Sequence, residues 1–236
     1  MTETPVLTLP LLQAAQAQKH VTVNEALSLL DGLTHLRLSS ATQTAPPDPA
    51  QDGMVYALPT GATGDWAGHD GKVAVFINGG WGFVTPHRGW RAFILDQGMN
   101  AIWDGHVWRY GALTLGTYGA ALAVKTVETD VALTAGGNVT TPVMFPERSI
   151  AFGVTGRVIA DINGTATAWD LGVAGDPLRY GNGLGLALNS WVNGPSAPLV
   201  YWTDTALEIT ATGGDFTGGG VRLVAHYAEL ALPDPV

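Results

Sequence analysis

Glycine-marked turns between short apolar runs constrain this chain more than any other feature. Ala74-Val75-Phe76-Ile77 leads into Asn78-Gly79 and then Trp81-Gly82-Phe83-Val84. Ala101-Ile102-Trp103 leads into Asp104-Gly105 and then Val107-Trp108-Arg109-Tyr110. Asn-Gly and Asp-Gly favour tight hairpins, because both central residues of the turn take φ > 0. The two segments therefore predict two copies of one hairpin unit. Residues 89–95 supply a further strand between them, and residues 54–58 alternate weakly as another. Five of the eight tryptophans (Trp66, Trp81, Trp90, Trp103, Trp108) fall in this stretch. A domain of roughly 60 residues buries little aliphatic surface, so large rings must supply much of its core.

The rest of the chain, residues 112–236, is rich in alternating runs with Gly and Asn turns and no helical period. The expected strands are 153–161, 165–173, 184–188, 199–203, 206–212 and 221–230. Period-2 alternation puts Val221, Leu223, Ala225 and Tyr227 on one face, and Arg222, Val224, His226 and Ala228 on the other. Trp169 is in phase with Leu171 and Val173, which makes it a core residue. This spacing points to an antiparallel β-sandwich or jelly roll.

The start reads differently. Pro10 suits a first helical turn, and Leu11 to Lys19 are good helix formers. His20-Val21 breaks that run, and Thr22-Val23-Asn24-Glu25 has capping-box spacing for a second helix over residues 23–38. Its apolar positions cover more than half the circumference, which predicts burial on two sides, against the same chain and against a partner copy. Residues 41–51 (ATQTAPPDPAQ) read as an extended linker because of their prolines. The fold class expected is thus mainly β. It comprises a short N-terminal helical segment (1–40), a linker (41–51), a small Trp-rich β-hairpin module (52–111) and a C-terminal sandwich (112–236).

Composition narrows the function. The chain has no cysteine, which removes thiol chemistry and cysteine-ligated metals. A net charge of −9 argues against binding duplex nucleic acid or an anionic membrane. No apolar run reaches membrane-spanning length, and no basic leader precedes the start, so no signal peptide is expected. No two of the six histidines lie three to five residues apart, so no local zinc pair exists. Neither a nucleophile elbow, a dinucleotide fingerprint nor a phosphate loop occurs. No cofactor and no catalytic residue are expected. Asp161, Asp170, Asp176, Asp204, Glu208 and Asp215 leave open a two-carboxylate glycosidase.

Aromatic residues beside amides and charges are more informative. Sugars stack their apolar faces on rings while amides, carboxylates and guanidinium groups take the hydroxyls. Asp176, Arg179, Tyr180 and Asn182 are expected in one turn. Trp191 and Asn193 fall in another, and Tyr201, Trp202 and Asp204 at a strand end. These nine are the candidate carbohydrate-binding residues; each aromatic among them could equally close the sandwich core.

The run from Leu9 to Leu27 (LPLLQAAQAQKHVTVNEAL) resembles the opening of a domain of unknown function found in prophages and gene transfer agents of alphaproteobacteria. The likeness continues through Asp52-Gly53, residues 64–71 (GDWAGHDG), residues 79–83 (GGWGF) and Gly89-Trp90. Three C-terminal stretches, 169–176, 179–186 and 217–223, resemble the block attached to it in relatives. The family pattern carries a histidine where this chain has Val23, a position expected to pack inside the helix. The resemblance implies a particle component, a head spike or tail fibre that binds host capsular polysaccharide without enzymatic activity. It would be attached through the N-terminal segment and released from the bacterial cytoplasm by lysis. A homotrimer is implied by analogy with fibres. A capsule depolymerase and a capsid or tail adaptor without a ligand are the alternatives.

Overall fold

The computed structural model describes residues 2–12 and 19–235, and it is mainly β. The chain forms two compact units, Met1–Ala121 with Asp234–Val236, and Leu122–Pro233.

Among its described residues the first unit holds one α-helix, α1 (Lys19–Thr34), a single 3-10 turn at Gly64–Trp66 and seven short strands. These are β1 (Arg37–Leu38), β2 (Val55–Ala57), β3 (Val73–Ile77), β4 (Gly80–Val84), β5 (Arg91–Ile94), β6 (Met99–Trp103) and β7 (Trp108–Tyr110). They build two sheets, ordered β1-β5-β6-β7 and β2-β3-β4. The β3–β4 hairpin closes through Asn78 and Gly79 at φ 50° and 76°, as the dipeptide predicts. The second hairpin differs. Trp103 faces Trp108 in register, so its loop has four residues. The Asp104 carboxylate holds that loop by accepting the amides of His106 and Val107, each at 2.8 Å.

The N-terminal expectations need correction. Helix α1 already begins at Lys19 and runs through His20 and Val21, so Thr22 and Glu25 lie inside it and cap nothing. The helix expected before it falls largely on residues 13–18, outside the described residues; Leu11 and Leu12 are not helical. α1 stops at Thr34, because the next residues pair in parallel with β5 instead: Phe93 N donates to Leu36 O at 2.9 Å and Leu95 N to Leu38 O at 2.8 Å. Val21, Val23 and Leu30 stand exposed on α1, so Val23 does not pack inside. The buried Asp31 carboxylate instead ties down the first residues, accepting Thr4 Oγ1 (2.7 Å), Val6 N (2.8 Å) and Leu7 N (2.6 Å).

Residues 41–51 are irregular but separate nothing. Just before the stretch Ser39 N donates to Val55 O and Ala57 N to Ser40 O; within it Thr44 O accepts Thr63 N and Gln51 O accepts Met54 N, which stitches it onto β2 and the loop after it. Leu36 and Leu38 share a core with Val55, Val75, Ile94, Trp103 and Trp108. Residues expected as attachment segment, linker and module thus form one unit, because no part alone has enough apolar surface to bury.

The second unit has eight strands: β8 (Ala121–Ala132), β9 (Asn138–Phe145), β10 (Ser149–Gly164), β11 (Ala168–Val173), β12 (Asp176–Leu184), β13 (Trp191–Tyr201), β14 (Thr205–Thr212) and β15 (Phe216–Ala231). They form two four-stranded sheets, β13-β10-β15-β8 and β12-β11-β14-β9. The pairing is nested: β11 with β12, β10 with β13, β9 with β14, and β8 with β15. That is a jelly roll, a long antiparallel hairpin folded over on itself. Val221, Leu223, Ala225 and Tyr227 point into the core between the sheets, with Trp169, Leu171, Leu207 and Ile209 opposite. A bulge between Ala151 and Gly153 reverses the phase of β10.

Antiparallel nesting also sorts the loops. β8 begins and β15 ends at one end of the sandwich, together with the β9–β10, β11–β12 and β13–β14 connections. The loops 133–137, 165–167, 185–190 and 213–215 occupy the opposite end.

Candidate functional site

The structure redistributes the nine candidate residues. Asp176, Arg179, Tyr180 and Asn182 do not form a turn; they lie along β12. Pro177, Gly181 and Gly183 mimic turn punctuation, but β12 is an edge strand, where a missing N–H is tolerated. Tyr180 is 2% exposed, which removes it from any sugar-stacking surface. Its hydroxyl meets that of Tyr201 at 2.8 Å, and Tyr201 stacks on Phe145 with ring centroids 4.9 Å apart. Burial, reinforced by this hydrogen bond, pushes the Tyr180 hydroxyl far above the usual phenol range. Both tyrosines thus close the core. Arg179 pairs with Asp176 at 2.8 Å. Asn182 is exposed.

Two rings remain open to solvent: Trp191, 66% exposed, and Trp202, 74% exposed. They flank β13, one beginning it and the other just following it, so they do not converge. Trp202 and Asp204 sit in the β13–β14 turn, where Asp204 Oδ1 accepts Glu147 N at 2.9 Å. This is the end at which the chain enters and leaves the unit. Trp191 belongs to the half facing the opposite loops.

The surroundings of Trp191 form a built surface. On the outer face of the β13-β10-β15-β8 sheet, Trp191 lies directly across from Arg157, and Arg157 directly across from Arg222. Two residues along, Asn193 faces Thr155, and Thr155 faces Val224. Thr155, Arg157, Trp191, Arg222 and Val224 line a shallow groove of about 370 Å³. It adjoins a smaller hollow of about 190 Å³ lined by Phe152, Thr155, Asn193, Pro195 and His226. Thr155 Oγ1 and His226 Nε2 are hydrogen-bonded at 2.8 Å. Of the sequence candidates, the fold therefore unites Trp191 and Asn193 here. Thr155, Arg157, Arg222 and His226 were missed, because only strand register brings β10 and β15 beside β13.

The electrostatics of the row are asymmetric. Arg222 grips Asp130 in a two-pronged pair, Nε to Oδ1 and Nη2 to Oδ2, each 2.7 Å. That hydrogen bond holds the Asp130 carboxyl below its ordinary range. Arg157 donates to Asn189 O at 3.2 Å, and among the described residues it has no carboxylate partner.

Four of the six carboxylates considered for hydrolysis are engaged within the unit, Asp176 with Arg179 and Asp204 with Glu147 N as above. Asp170 accepts Gly183 N (2.7 Å) and Thr212 Oγ1 (2.8 Å), and Asp161 accepts Leu188 N (2.6 Å). Among the described residues no cluster of histidines and carboxylates is arranged to hold a metal. No described helix is long and apolar enough to cross a membrane.

No curated protein matches this chain. A solved structure described as "Cyanophage Pam1 capsid asymmetric unit" is similar at 24% identity over 44% of this chain and 84% of its own, with a TM-score of 0.35, too loose an overlap to carry an argument. Residues 23–109, from within α1 to the middle of β7, match the family described as "Protein of unknown function (DUF2793)", a similarity confined to the first unit.

Proposed function

We propose that this protein is a structural component of a phage or gene-transfer-agent particle, a spike or fibre that binds host surface polysaccharide and does not cleave it. One observation carries the binding role: exposed Trp191 stands on an open groove whose other walls are the Thr155 hydroxyl, the Arg157 and Arg222 guanidinium groups and two valines, with the Asn193 amide in the adjoining hollow. A ring offers a sugar its flat apolar face, and the flanking donors take hydroxyls. A shallow groove holds one or two sugar units weakly, and many copies on one particle would multiply that affinity. The particle assignment is supported by the likeness of residues 9–27 to prophage and gene-transfer-agent proteins. Exposed Val21, Val23 and Leu30 on α1 support association of copies, read here as a trimer.

The test is adsorption of particles to encapsulated cells. Trp191→Ala reduces adsorption by at least about tenfold and leaves the oligomer mass, measured by light scattering, unchanged. Undiminished adsorption removes the site. New reducing ends released from purified capsule would replace binding with depolymerisation, and a monodisperse monomer would remove the fibre.

A further inference from the structure

Resting on that reading of the Trp191 groove, we propose that its ligand is an acidic polysaccharide, and that Arg157 selects it by pairing with a sugar carboxylate. Three observations converge on this residue.

The first is the pairing itself. Arg157 and Arg222 are direct cross-strand neighbours. Like charges in that relation destabilise a sheet. Asp130 relieves Arg222 through its two-pronged contact. Among the described residues nothing equivalent relieves Arg157, which donates to the carbonyl of Asn189. A planar guanidinium with donors to spare is suited to a carboxylate.

The second is scarcity. The chain has 11 Lys and Arg against 20 Asp and Glu. Two of those few cations are set side by side on one sheet face, beside an exposed tryptophan. The overall charge of −9 does not oppose a local acidic contact. At physiological salt, charges beyond about 8 Å are largely screened.

The third is geometry. Trp191 and Arg157 are adjacent across the strands, where Cβ atoms are ~5 Å apart. One sugar ring lying on the indole would bring a ring carboxylate within reach of the guanidinium. Asn193 and Thr155, one step along the same face, are placed for hydroxyls of the next unit.

The experiment uses the full chain and a panel of uronate-bearing bacterial capsular polysaccharides, each immobilised beside its carboxyl-reduced counterpart. Wild-type protein binds at least one uronate polymer about tenfold more tightly than the reduced form, the effect of one charge-assisted hydrogen bond. Arg157→Gln collapses that ratio toward one, while Arg157→Lys keeps part of it. Asp130→Asn, which frees Arg222, raises the ratio. Trp191→Ala weakens binding to both forms alike. A ratio that survives Arg157→Gln, or a preference for neutral polymer, overturns the acidic ligand and leaves the groove standing. Insensitivity of all binding to Trp191→Ala overturns the groove. Absence of binding to every polymer, charged or reduced, overturns both.

Discussion

The two units solve the same packing problem with different means. In the first, no strand exceeds five residues, and tryptophan bulk takes the place of strand length. Trp66 is fully buried, with Tyr56 at 5.0 Å and Trp81 at 5.1 Å between ring centroids. Trp103 and Trp108 pack against each other at 5.4 Å. In the second, strands of up to 16 residues carry the fold through nested ladders. Its core needs Trp169 alone among the tryptophans, and Trp191 and Trp202 are left on the surface. Where pairing supplies cohesion, rings are left on the surface; where it does not, rings are spent on the core.

The strongest challenge to that contrast is Trp66→Ala. It should cost the first unit about 3–5 kcal/mol, as for other buried tryptophans. Denaturant unfolding followed separately in the two units would measure it, and a loss below about 1 kcal/mol would show that rings do not hold this unit. Gly194→Ala comes next. A methyl group there would meet Tyr180 O at 2.0 Å, where β12 backbone crosses β13. The second unit should lose about 1–3 kcal/mol. An unchanged midpoint would mean that the strands can separate at that corner without cost.

A pH scan sharpens the comparison further through one shifted group in each unit, Asp104 in the first and Tyr227 in the second. Burial pushes the Asp104 carboxyl up, but the amides of Val107 and His106 and the Arg109 guanidinium outweigh it, so its pKa lies below the ordinary value. The stabilisation is complete above about pH 3.9 and disappears as pH falls through the lowered value. Acid should therefore weaken the first unit, and Asp104→Asn should blunt that sensitivity. Burial, and then the Glu229 charge, push Tyr227 up to about 12. Its contribution holds below about pH 10 and is lost as pH rises through the folded value. Alkali should weaken the second unit, and Tyr227→Phe should flatten that limb. The smallest effect is the most telling. Trp191→Ala should shift stability by no more than about 0.5 kcal/mol, read as an unchanged melting midpoint, because an exposed ring supports nothing beneath it.

Much of this was legible in the sequence where local chemistry decides. Asn78-Gly79 fixed one turn, alternation over 221–227 assigned the faces of β15, and Trp169 read as core. Expectation failed where distant pairing decides. β8 and β9 escaped notice because these edge strands carry Thr and charge, although β8 alternates between inner and outer face along its length. β12 and the first residues of β13 passed for turns because Pro177, Gly181 and Gly183 look like breakers; their backbones are accepted at an edge. The residues 184–188 expected as a strand instead leave the sheet after Leu184. The groove shows the same division. Trp191 could be singled out by its polar neighbours, but Arg157 becomes its companion only through the register of β10 with β13.

The nested strand order has one more consequence. Because β8 starts where β15 finishes, the two ends of the jelly roll emerge side by side, and the chain resumes the first unit at Asp234, which pairs with Arg109 at 2.6 Å. A module whose two ends lie side by side can be cut out and another spliced in without rerouting the remainder. A new version of this unit would then require exchange of one insert and no change elsewhere in the chain.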